Sequence, residues 1–427
     1  MAVPRITKVF AAVNIGSFRT SAMIAGLAET GDLVVLGSGY RASAGIKRGY
    51  VVDSVAATHC VRDAIERAER AAGASVQSVW IGCAGAGLAS STARVEVEIG
   101  GRRIEADDIE ALLLTARGVI APQGRHVLHA QPAHYTLDGA HGVPNPKGLH
   151  AERLAVDVHV MQADAAPIRN LKETVEQAHL RVAAVVGSPV AAGLACLTPE
   201  ERDIGVALVE FGAEVTTVSV YAFGMLLGMQ VIAFGSGDIT DALASAFGIR
   251  RSQAERLKCR SGSAVATPAD HRELIPVNAP GDPEGPGPLA RNADDQNRIP
   301  RSELIGVIIQ HLGHFTEEVG KALKVLGFTG VHRQQVVITG GGAQMPGLAD
   351  FAQRSLGRPV RIGVPPAMLG LPPGNATPSS STLVGLLLYA AAEPADLRKI
   401  SPRRPADDAR GRWAIPGRIW RAVRDYF

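Results

Sequence analysis

Two similar segments of the sequence each predict a β-hairpin that turns at a glycine. Residues 13–24 are VNIGSFRTSAMI, and residues 209–220 are VEFGAEVTTVSV. In both, an apolar run leads through a polar and an apolar residue to a glycine and then to a second apolar strand. Such a turn exposes backbone N–H groups, and its glycine lets a phosphate approach them closely. One such segment is usually an ordinary hairpin, but two matching copies predict a duplicated fold that grips phosphates from both sides.

A third glycine-containing segment follows the two hairpins in the last quarter of the chain. Residues 336–348 are VVITGGGAQMPGL, a β-branched strand that runs into three glycines, with a helix predicted to begin near Pro346. A strand-to-helix turn of this kind lets the backbone approach a flat or anionic ligand, although it is also compatible with an ordinary tight connection. The chain has no GxxxxGK[ST] loop and no strand-linked GxGxxG, so P-loop and Rossmann sites are disfavoured.

In this order, the two hairpins and the glycine turn resemble the actin/Hsp70/sugar-kinase superfamily. Within it, the chain resembles the FtsA family of bacterial cell-division proteins, over roughly residues 8–392 and again at the C-terminus. The matching stretches are SAGIKRG at 43–49, AER at 68–70, VWIG at 79–82, NPKG at 145–148 and AERLK at 254–258. The resemblance implies an α/β, actin-like duplicated fold with an inserted 1C (SHS2-type) subdomain, plus a C-terminal amphipathic helix on a flexible linker.

The resemblance also implies a division of the chain. Subdomain 1A is expected at 1–84, 165–203 and 366–393, 1C at 85–164, 2A at 204–234 and 302–365, 2B at 235–301, a linker at 394–412 and the amphipathic helix at 413–427. Local patterns predict three helices inside this frame. Asp53 is expected to cap a helix through about Ala72, a short helix is expected from Asp107 to Arg117, and Ser302 is expected to cap a long periodic helix.

By the same resemblance, ATP with Mg²⁺ is expected between the two halves. The residues implied for the phosphates are Gly16, Ser17, Gly212, Ala213 and Thr216, those for the ribose are Glu255 and Lys258, and those for the adenosine side are Gly340, Gly341 and Met345. Without the resemblance, Glu255 and Lys258 are equally well explained as a surface ion pair one helical turn apart.

The two hairpins depart from the superfamily pattern, in which both begin with a metal-orienting aspartate. This chain has Asn14 and Glu210 at those positions. Asparagine removes a negative charge near the metal, and glutamate reaches one methylene further, whereas Mg²⁺ demands near-ideal octahedral geometry. Glu210 is left as the one candidate metal ligand, through a water, and no general base is evident. We therefore expect ATP to be a structural and switching ligand that is hydrolysed slowly or not at all.

The charge distribution singles out the C-terminal segment. Net charge is only +3, which argues against a nucleic-acid-binding surface, but residues 398–427 hold nine Lys/Arg and three Asp, so they carry +6 and leave −3 for the rest. Pro416 suits the first turn of a helix through Phe427, with apolar residues on one face and arginines opposite. This pattern predicts an interfacial helix on an anionic membrane, although it could also dock on its own body. The residues expected to contact the membrane are Trp413, Ile415, Arg418, Ile419, Trp420, Arg421, Val423, Arg424 and Phe427.

Two further observations concern the compartment. The four cysteines stand far apart with no CxxC pair, which is typical of a reduced, cytosolic chain. Two stretches without charged residues are long enough to be considered as membrane spans. Both contain turn residues, which argue against a continuous membrane helix. Residues 182–199 are predicted to be a strand, a turn and a buried helix, and residues 215–234 two strands that turn near Phe223–Gly224.

The resemblance implies a protein that polymerises on the cytoplasmic face of the inner membrane at the division site and tethers the FtsZ ring. Its implied partners are the FtsZ C-terminal peptide, further copies of itself, the anionic membrane surface and later division proteins through subdomain 1C. Arg301 is the residue carried over for the FtsZ contact, although a surface arginine is more often merely solvated. One alternative is an actin-like pilus-assembly adaptor, which typically lacks the membrane helix. Another is a sugar-kinase-like phosphotransferase, which needs a catalytic aspartate in the cleft.

Overall fold

The frame of the protein consists of two five-stranded sheets with the same strand order. The computed structural model describes residues 5–85, 87–120, 124–278, 298–330 and 334–400. The strands are β1 (Ile6–Ile15), β2 (Arg19–Ala28), β3 (Leu33–Ala42), β4 (Ile46–Lys47), β5 (Tyr50–Val51), β6 (Ser78–Cys83), β7 (Ala89–Glu98), β8 (Arg125–Leu137), β9 (Ala140–Val143), β10 (Arg153–Asp164), β11 (Arg181–Gly187), β12 (Val206–Phe211), β13 (Thr216–Ala222), β14 (Met225–Ile232), β15 (Leu274–Pro276), β16 (Arg298–Pro300), β17 (Gln335–Thr339) and β18 (Val360–Ile362). The helices are α1 (Ser54–Ala72), α2 (Ala106–Val119), α3 (Ala165–Glu176), α4 (Ser188–Cys196), α5 (Pro199–Ile204), α6 (Ser236–Phe247), α7 (Arg251–Ser261), α8 (Arg301–Val325), α9 (Leu348–Leu356) and α10 (Ser381–Ala392).

The predicted duplication is confirmed by the pairing of the strands. The first sheet has the order β3-β2-β1-β6-β11 and the second the order β14-β13-β12-β17-β18. In each, an antiparallel meander is extended by two parallel strands. Ile15 lies opposite Thr20 in the first hairpin, and Phe211 lies opposite Thr216 in the second, so the two turns are equivalent.

Helices α4 and α10 lie between the sheets and are buried over most of their length. Both are rich in small residues, and the two helices contact each other closely where Gly385 meets the carbonyl of Ala191. A single core cluster contains Ile24 from the first sheet, Leu208 from the second and Leu386 from α10. The two halves of the protein, one built on each five-stranded sheet, are therefore joined by a common apolar core at the base of the cleft between them.

A third sheet belongs to the inserted region. Strands β7, β10, β8 and β9 are antiparallel neighbours in that order, and α2 packs against them around a separate core that includes Leu112, Leu154 and Val158. Thr92 at the edge strand donates to the carbonyl of Leu227 in β14 at 3.2 Å. The insert thus contacts the second half of the frame as well as the first.

The first residues of the predicted linker, 394–400, are docked on the insert. Leu397 is fully buried in the core of the insert, and Arg398 donates to the carbonyl of Val127 in β8 at 2.9 Å. The guanidinium of Arg117 in α2 also donates to the carbonyl of Ile400. Residues 394–400 are too short and too polar for a periodic pattern, so their docking on the insert has no signature in the sequence. The rest of the predicted linker and the predicted amphipathic helix, residues 401–427, lie outside the described residues.

Three helix predictions can be compared directly with the structure. Asp53 does cap α1, whose end at Ala72 is followed by Gly73 with a φ of 65°, and α2 covers the predicted short helix. The prediction for Ser302 is wrong, because α8 starts one residue earlier and Pro300 precedes it. After the glycine cluster the chain first forms a short 3-10 turn, Gly341–Gln344, and α9 begins only at Leu348.

Both uncharged stretches contain the predicted strands and helix. Residues 182–199 contain nearly all of β11 and the buried helix α4, which follows the strand directly without the predicted turn. Residues 215–234 contain β13 and β14, which turn at Phe223 and Gly224 with φ values of 55° and 74°. Among the residues that the structure describes, no helix combines the length and the apolarity that a membrane crossing requires.

Candidate functional site

A cleft of about 410 Å³ opens between the two halves. One wall is formed by the first hairpin, including Asn14, Gly16 and Ser17. The other is formed by Ala213 of the second hairpin, by the start of α6, by α7 and by the glycine turn after β17. The duplicated hairpins therefore face one another across the cleft, as the sequence pattern predicts.

Both hairpin turns depend on a glycine. The N–H of Gly16 donates to the carbonyl of Arg19 at 3.2 Å, and the N–H of Gly212 donates to the carbonyl of Val215 at 3.1 Å. A Cβ at Gly16 would lie 3.0 Å from the oxygen it faces, and one at Gly212 would lie 2.5 Å from it. Any other residue would push the turn open, so the tight geometry at the cleft requires glycine at both positions.

The glycine turn uses its three glycines differently. Gly340 has a φ of 91°, and a Cβ there would lie 2.6 Å from the carbonyl oxygen of Phe211, so it is needed behind the cleft wall. Gly342 lies against the Phe211 ring. Gly341 has open space on its side-chain side and lines the cleft together with Met345. Of the predicted adenosine-side residues, Gly341 and Met345 thus line the cleft and Gly340 supports them.

Glu255 and Lys258 form a polar cluster at the wall of the cleft. Lys258 is buried, and its Nζ donates to the carbonyl of Ser236 at 2.8 Å and to Thr240 Oγ1 at 2.7 Å, and lies 2.8 Å from Glu255 Oε2. Burial raises the pKa of Glu255, but the charge and hydrogen bond of Lys258, with hydrogen bonds from Thr240 and Cys259, outweigh it and hold the pKa below its usual value. The pair is therefore more than a solvated surface ion pair, since Lys258 uses two of its ammonium donors to fix α7 against α6 and the third on Glu255 within α7.

Glu210 and Thr216 lie in the sheet and not on the lining of the cleft. Glu210 Oε2 accepts from Ser188 Oγ and Oε1 accepts from Thr382 Oγ1, both at 2.8 Å. Burial raises the pKa of this carboxyl to about 7, in spite of the two hydrogen bonds. Thr216 is fully buried, and its hydroxyl donates to the carbonyl of Phe234 at 2.8 Å. Both residues therefore hold the second hairpin in place from behind.

The residues present do not fit a protein-held Mg²⁺. Asn14 lines the cleft but supplies only a neutral oxygen, and both oxygens of Glu210 are already engaged by hydroxyl groups. Across the described ranges, no three His, Cys, Asp or Glu side chains are grouped so as to hold a metal ion. Mg²⁺ prefers carboxylate oxygens in octahedral geometry, and this cleft does not offer them.

Several residues of the cleft are absent from the sequence predictions. Ser236 and Gly237 begin α6 and bind the second hairpin, through their N–H groups, at the carbonyls of Gly212 and Ala213. The sequence does carry a signal for them, because GSGD at 235–238 stands between a strand and a helix, and Asp238 accepts from the N–H of Gly235 at 2.7 Å as a helix-start residue does. Arg19 and Arg251 also line the cleft, and Arg19 stands inside the hairpin segment with nothing in its spacing to mark it.

The residue expected to contact a partner, Arg301, lies away from the cleft at the start of α8. Its Nη1 lies 2.9 Å from Asp270 Oδ1 and 3.1 Å from Glu273 Oε2, and its Nε donates to the carbonyl of Ser261 at 3.2 Å. The guanidinium thus ties the end of α7 and residues 270–273 to the start of α8, while part of it stays exposed. The nine residues predicted to contact a membrane, from Trp413 to Phe427, lie outside the described residues.

Comparison with known families and proteins gives consistent results. The family model described as "Cell division protein FtsA" matches residues 207–385, and the one described as "SHS2 domain inserted in FTSA" matches residues 85–162. The chain is 32% identical over 391 residues to the cell division protein FtsA of Rhizobium meliloti (strain 1021), with 89% of this chain and 87% of that protein covered. It is 30% identical over 383 residues to the cell division protein FtsA of Escherichia coli (strain K12), with 90% of each covered.

Solved structures with similar folds are more distant in sequence. A chain of the PilM-PilN type IV pilus biogenesis complex matches with a TM-score of 0.60 at 16% identity, over 90% of this chain and 98% of that one. MreB5 of Spiroplasma citri bound to AMPPNP matches with a TM-score of 0.53 at 11% identity, over 91% of this chain and 98% of that one. These likenesses and the match of the insert confirm the predicted actin-like fold with an SHS2-type subdomain.

Proposed function

The chain belongs to the FtsA family of cell-division proteins, and from this premise we propose that it is an ATP-binding polymer that tethers the FtsZ ring to the membrane. The observation that carries the nucleotide part is the cleft itself. Two equivalent glycine hairpins, one from each half, face each other across it, and residues of both turns line its walls. Such paired turns suit the phosphates of a nucleotide.

In this proposal, ATP lies with its phosphates between the hairpins and its adenosine toward α7 and the glycine turn. Ser17 and Ala213 flank the phosphates, Glu255 and Lys258 hold the ribose side, and Gly341 and Met345 leave room for the base. The carboxyl of Glu210 is held by Ser188 and Thr382 behind the wall, so it is not free to activate a water. We expect hydrolysis to be slow or absent and the nucleotide to act by joining the two halves.

The membrane part of the proposal rests on the C-terminal sequence. Residues 398–427 carry +6, and the predicted helix places arginines opposite an apolar, aromatic face. Attachment of this kind is peripheral, at the cytoplasmic face of the inner membrane and at the division site. The residues proposed to contact the bilayer are Trp413, Ile415, Arg418, Ile419, Trp420, Arg421, Val423, Arg424 and Phe427.

The proposed partners follow from the family. Head-to-tail contacts of the actin-like body would form the polymer, the insert would receive later division proteins, and subdomain 2B with Arg301 would bind the FtsZ C-terminal peptide. Because Asp270 and Glu273 fix the Arg301 guanidinium, it is presented in one orientation, with part of the side chain still accessible. The likeness to the PilM–PilN complex is one of fold alone, whereas the identity to cell-division proteins extends over most of the chain.

The proposal is tested by co-sedimentation with liposomes that contain anionic lipids. We compare the full chain with a chain that ends at Arg412, each with and without ATP. We expect only the full chain to sediment and ATP to make its binding cooperative. Equal sedimentation of the two chains would contradict the membrane anchor, and indifference to ATP would contradict the nucleotide-linked polymer. Phosphoryl transfer to a panel of sugars would instead favour the kinase alternative.

A further inference from the structure

The charges on the cleft wall differ from those of a site that works through a metal ion. Among the residues that the structure describes, five charged side chains line the cleft, namely Arg19, Glu214, Arg251, Glu255 and Lys258. Three of these are cations and two are carboxylates, so the lining carries a net charge of +1. A site that holds Mg²⁺ through the protein would instead supply one or two carboxylates beside the nucleotide phosphates.

Both carboxylates of the lining already have partners. Glu255 is paired with Lys258 at 2.8 Å, and Glu214 Oε2 accepts from the N–H of Arg48 at 2.6 Å, which ties the second hairpin to the first half. Glu210 is absent from the lining and bonded to two hydroxyls, and Asn14 is uncharged. Among the described residues of the cleft, the acidic groups are thus used to hold the protein together.

The cations differ in how far they are committed. Lys258 uses all three donors within the protein, and Arg251 Nε donates to Asp241 Oδ1 at 2.6 Å. Arg19 forms no ion pair with a carboxylate in the part of the chain that the structure describes. Its Nη2 donates to Ser379 Oγ at 3.1 Å, and its guanidinium lies 5.3 Å from the centre of the Tyr40 ring.

The position of Arg19 suits a phosphate. It follows the turn of the first hairpin, and its own carbonyl accepts the hydrogen bond from Gly16 that closes that turn. Ser379 and Tyr40 hold the guanidinium from two sides, so Arg19 loses little conformational entropy when a ligand binds. A guanidinium has five N–H donors and binds phosphate oxygens in a bidentate manner, which leaves donors over after the one bond to Ser379.

We propose that this cleft binds ATP without a divalent cation, with Arg19 supplying the positive charge that a protein-held Mg²⁺ would otherwise provide. The inference rests on the proposed function, because it assigns the ligand of the same cleft. The neutral side chain of Asn14 and the cation of Arg19 act in the same direction. Both favour ATP without bound Mg²⁺, which is more negatively charged than the Mg²⁺ complex.

The test measures the affinity of the full chain for ATP by calorimetry in buffer with Mg²⁺ and in buffer with EDTA. We expect the two dissociation constants of the wild-type protein to agree within about twofold. Arg19→Ala is expected to weaken binding in EDTA roughly tenfold or more, because a charge-assisted contact to phosphate is lost. Arg19→Lys should recover part of that loss. Arg5→Ala, which removes an exposed arginine paired with Glu29 far from the cleft, is the matched control and should bind like wild type.

Asn14→Asp provides the opposite change. Restoring a carboxylate at the first hairpin should weaken binding in EDTA and make the affinity depend on Mg²⁺. Wild-type binding that falls roughly tenfold or more when EDTA replaces Mg²⁺ would overturn this inference and leave the proposed function intact. No ATP binding in either buffer would overturn both. If Arg19→Ala does not fold, the wild-type comparison and Arg19→Lys still decide the question.

Discussion

The hydroxyl of Thr382 donates a 2.8 Å hydrogen bond to Glu210 Oε1 and so joins α10 of the first half to the first strand of the second. The other oxygen accepts from Ser188 in α4 at the same distance. One buried carboxyl thus holds two helices of the first half against the second sheet. Its position at the base of the cleft makes it a link between the two halves.

The stability of the protein should depend on the protonation of Glu210. Burial raises its pKa from 4.5 to about 7, so the folded state keeps a proton that the unfolded chain releases. The free energy of unfolding is therefore highest below pH 4.5 and falls as pH rises toward 7, by up to about 1.4 kcal/mol for each pH unit. Glu210→Gln should remove this fall. Urea unfolding of both proteins at pH 5 and pH 7.5 measures it, and parallel changes in the two would contradict the assignment.

His129 should produce the opposite dependence. Its Nε2 accepts from the N–H of Gly187 at 2.9 Å and its Nδ1 lies 3.1 Å from the hydroxyl of Tyr389, which ties β8 of the insert to the frame. Burial, together with the nearby charge of Arg398, lowers its pKa from 6.5 to about 3. The folded state resists protonation, so stability is fully present above pH 6.5 and declines below it, by up to about 1.4 kcal/mol per pH unit.

His129→Gln keeps a polar side chain but cannot be protonated, so its unfolding free energy should change less between pH 7 and pH 5 than that of the wild type. Urea unfolding at the two pH values provides the measurement. His59→Gln, at an exposed position on α1, is the control and should follow the wild type. A variant of His129 as acid-sensitive as the wild type would show that another group causes the decline.

The glycine turn allows stability and ligand binding to be separated. A Cβ at Gly342 would lie 2.4 Å from the ring of Phe211, which itself stacks on Phe315 with 4.1 Å between ring centres. Gly342→Ala should therefore lower the free energy of unfolding by about 1–3 kcal/mol through overpacking. Gly341→Ala meets open space, so it should leave stability nearly unchanged and weaken ATP binding from the cleft side. Chemical unfolding and calorimetry distinguish the two, and equal destabilisation would contradict the assignment of their roles.

The contact between α4 and α10 should tolerate no added methyl group. A Cβ at Gly385 would lie 1.9 Å from the carbonyl oxygen of Ala191, so Gly385→Ala must separate the helices and should cost at least about 1–3 kcal/mol. Gly306→Ala, on an exposed position of α8 with nothing within 4 Å, should instead stabilise by about 0.5–1 kcal/mol. Thermal unfolding compares the two, and a neutral Gly385→Ala would show that the helices can part without loss.

The hairpins and the start of α1 can be predicted from the sequence because each depends on residues that are close along the chain. Asp53 accepts from the N–H of Ala56, and the N–H of Gly16 donates to Arg19 within the same turn. The environment of Glu210 cannot be predicted in this way, because its partners come from α4 and from α10. In a sequence, a glutamate at the end of a strand is as compatible with a metal ligand as with a buried carboxyl that bonds neighbouring helices. Only the packing of distant helices decides between the two.

The cleft can be predicted in part for the same reason. Its glycine turns are local patterns that the sequence displays directly. The family resemblance assigns Lys258 to the ribose, but the bonds of Lys258 to Ser236 and Thr240 depend on how α6 and α7 cross. Arg19 is a single arginine after a turn, so no sequence pattern marks it. Its hydrogen bond to Ser379 forms only because the last part of the chain returns to the first sheet.

The anchoring of Leu397 in the insert determines where a mechanical pull would be felt. If residues 413–427 hold a membrane, residues 401–412 can span at most roughly 43 Å when fully extended, because a chain reaches about 3.6 Å per residue. Tension along that segment would reach the described residues first at the contact of Ile400 with Arg117, and then at Arg398 and Leu397, which dock on the insert. The two halves around the cleft would then be sheltered from the load, and the insert would be the part of the protein that registers force from the bilayer.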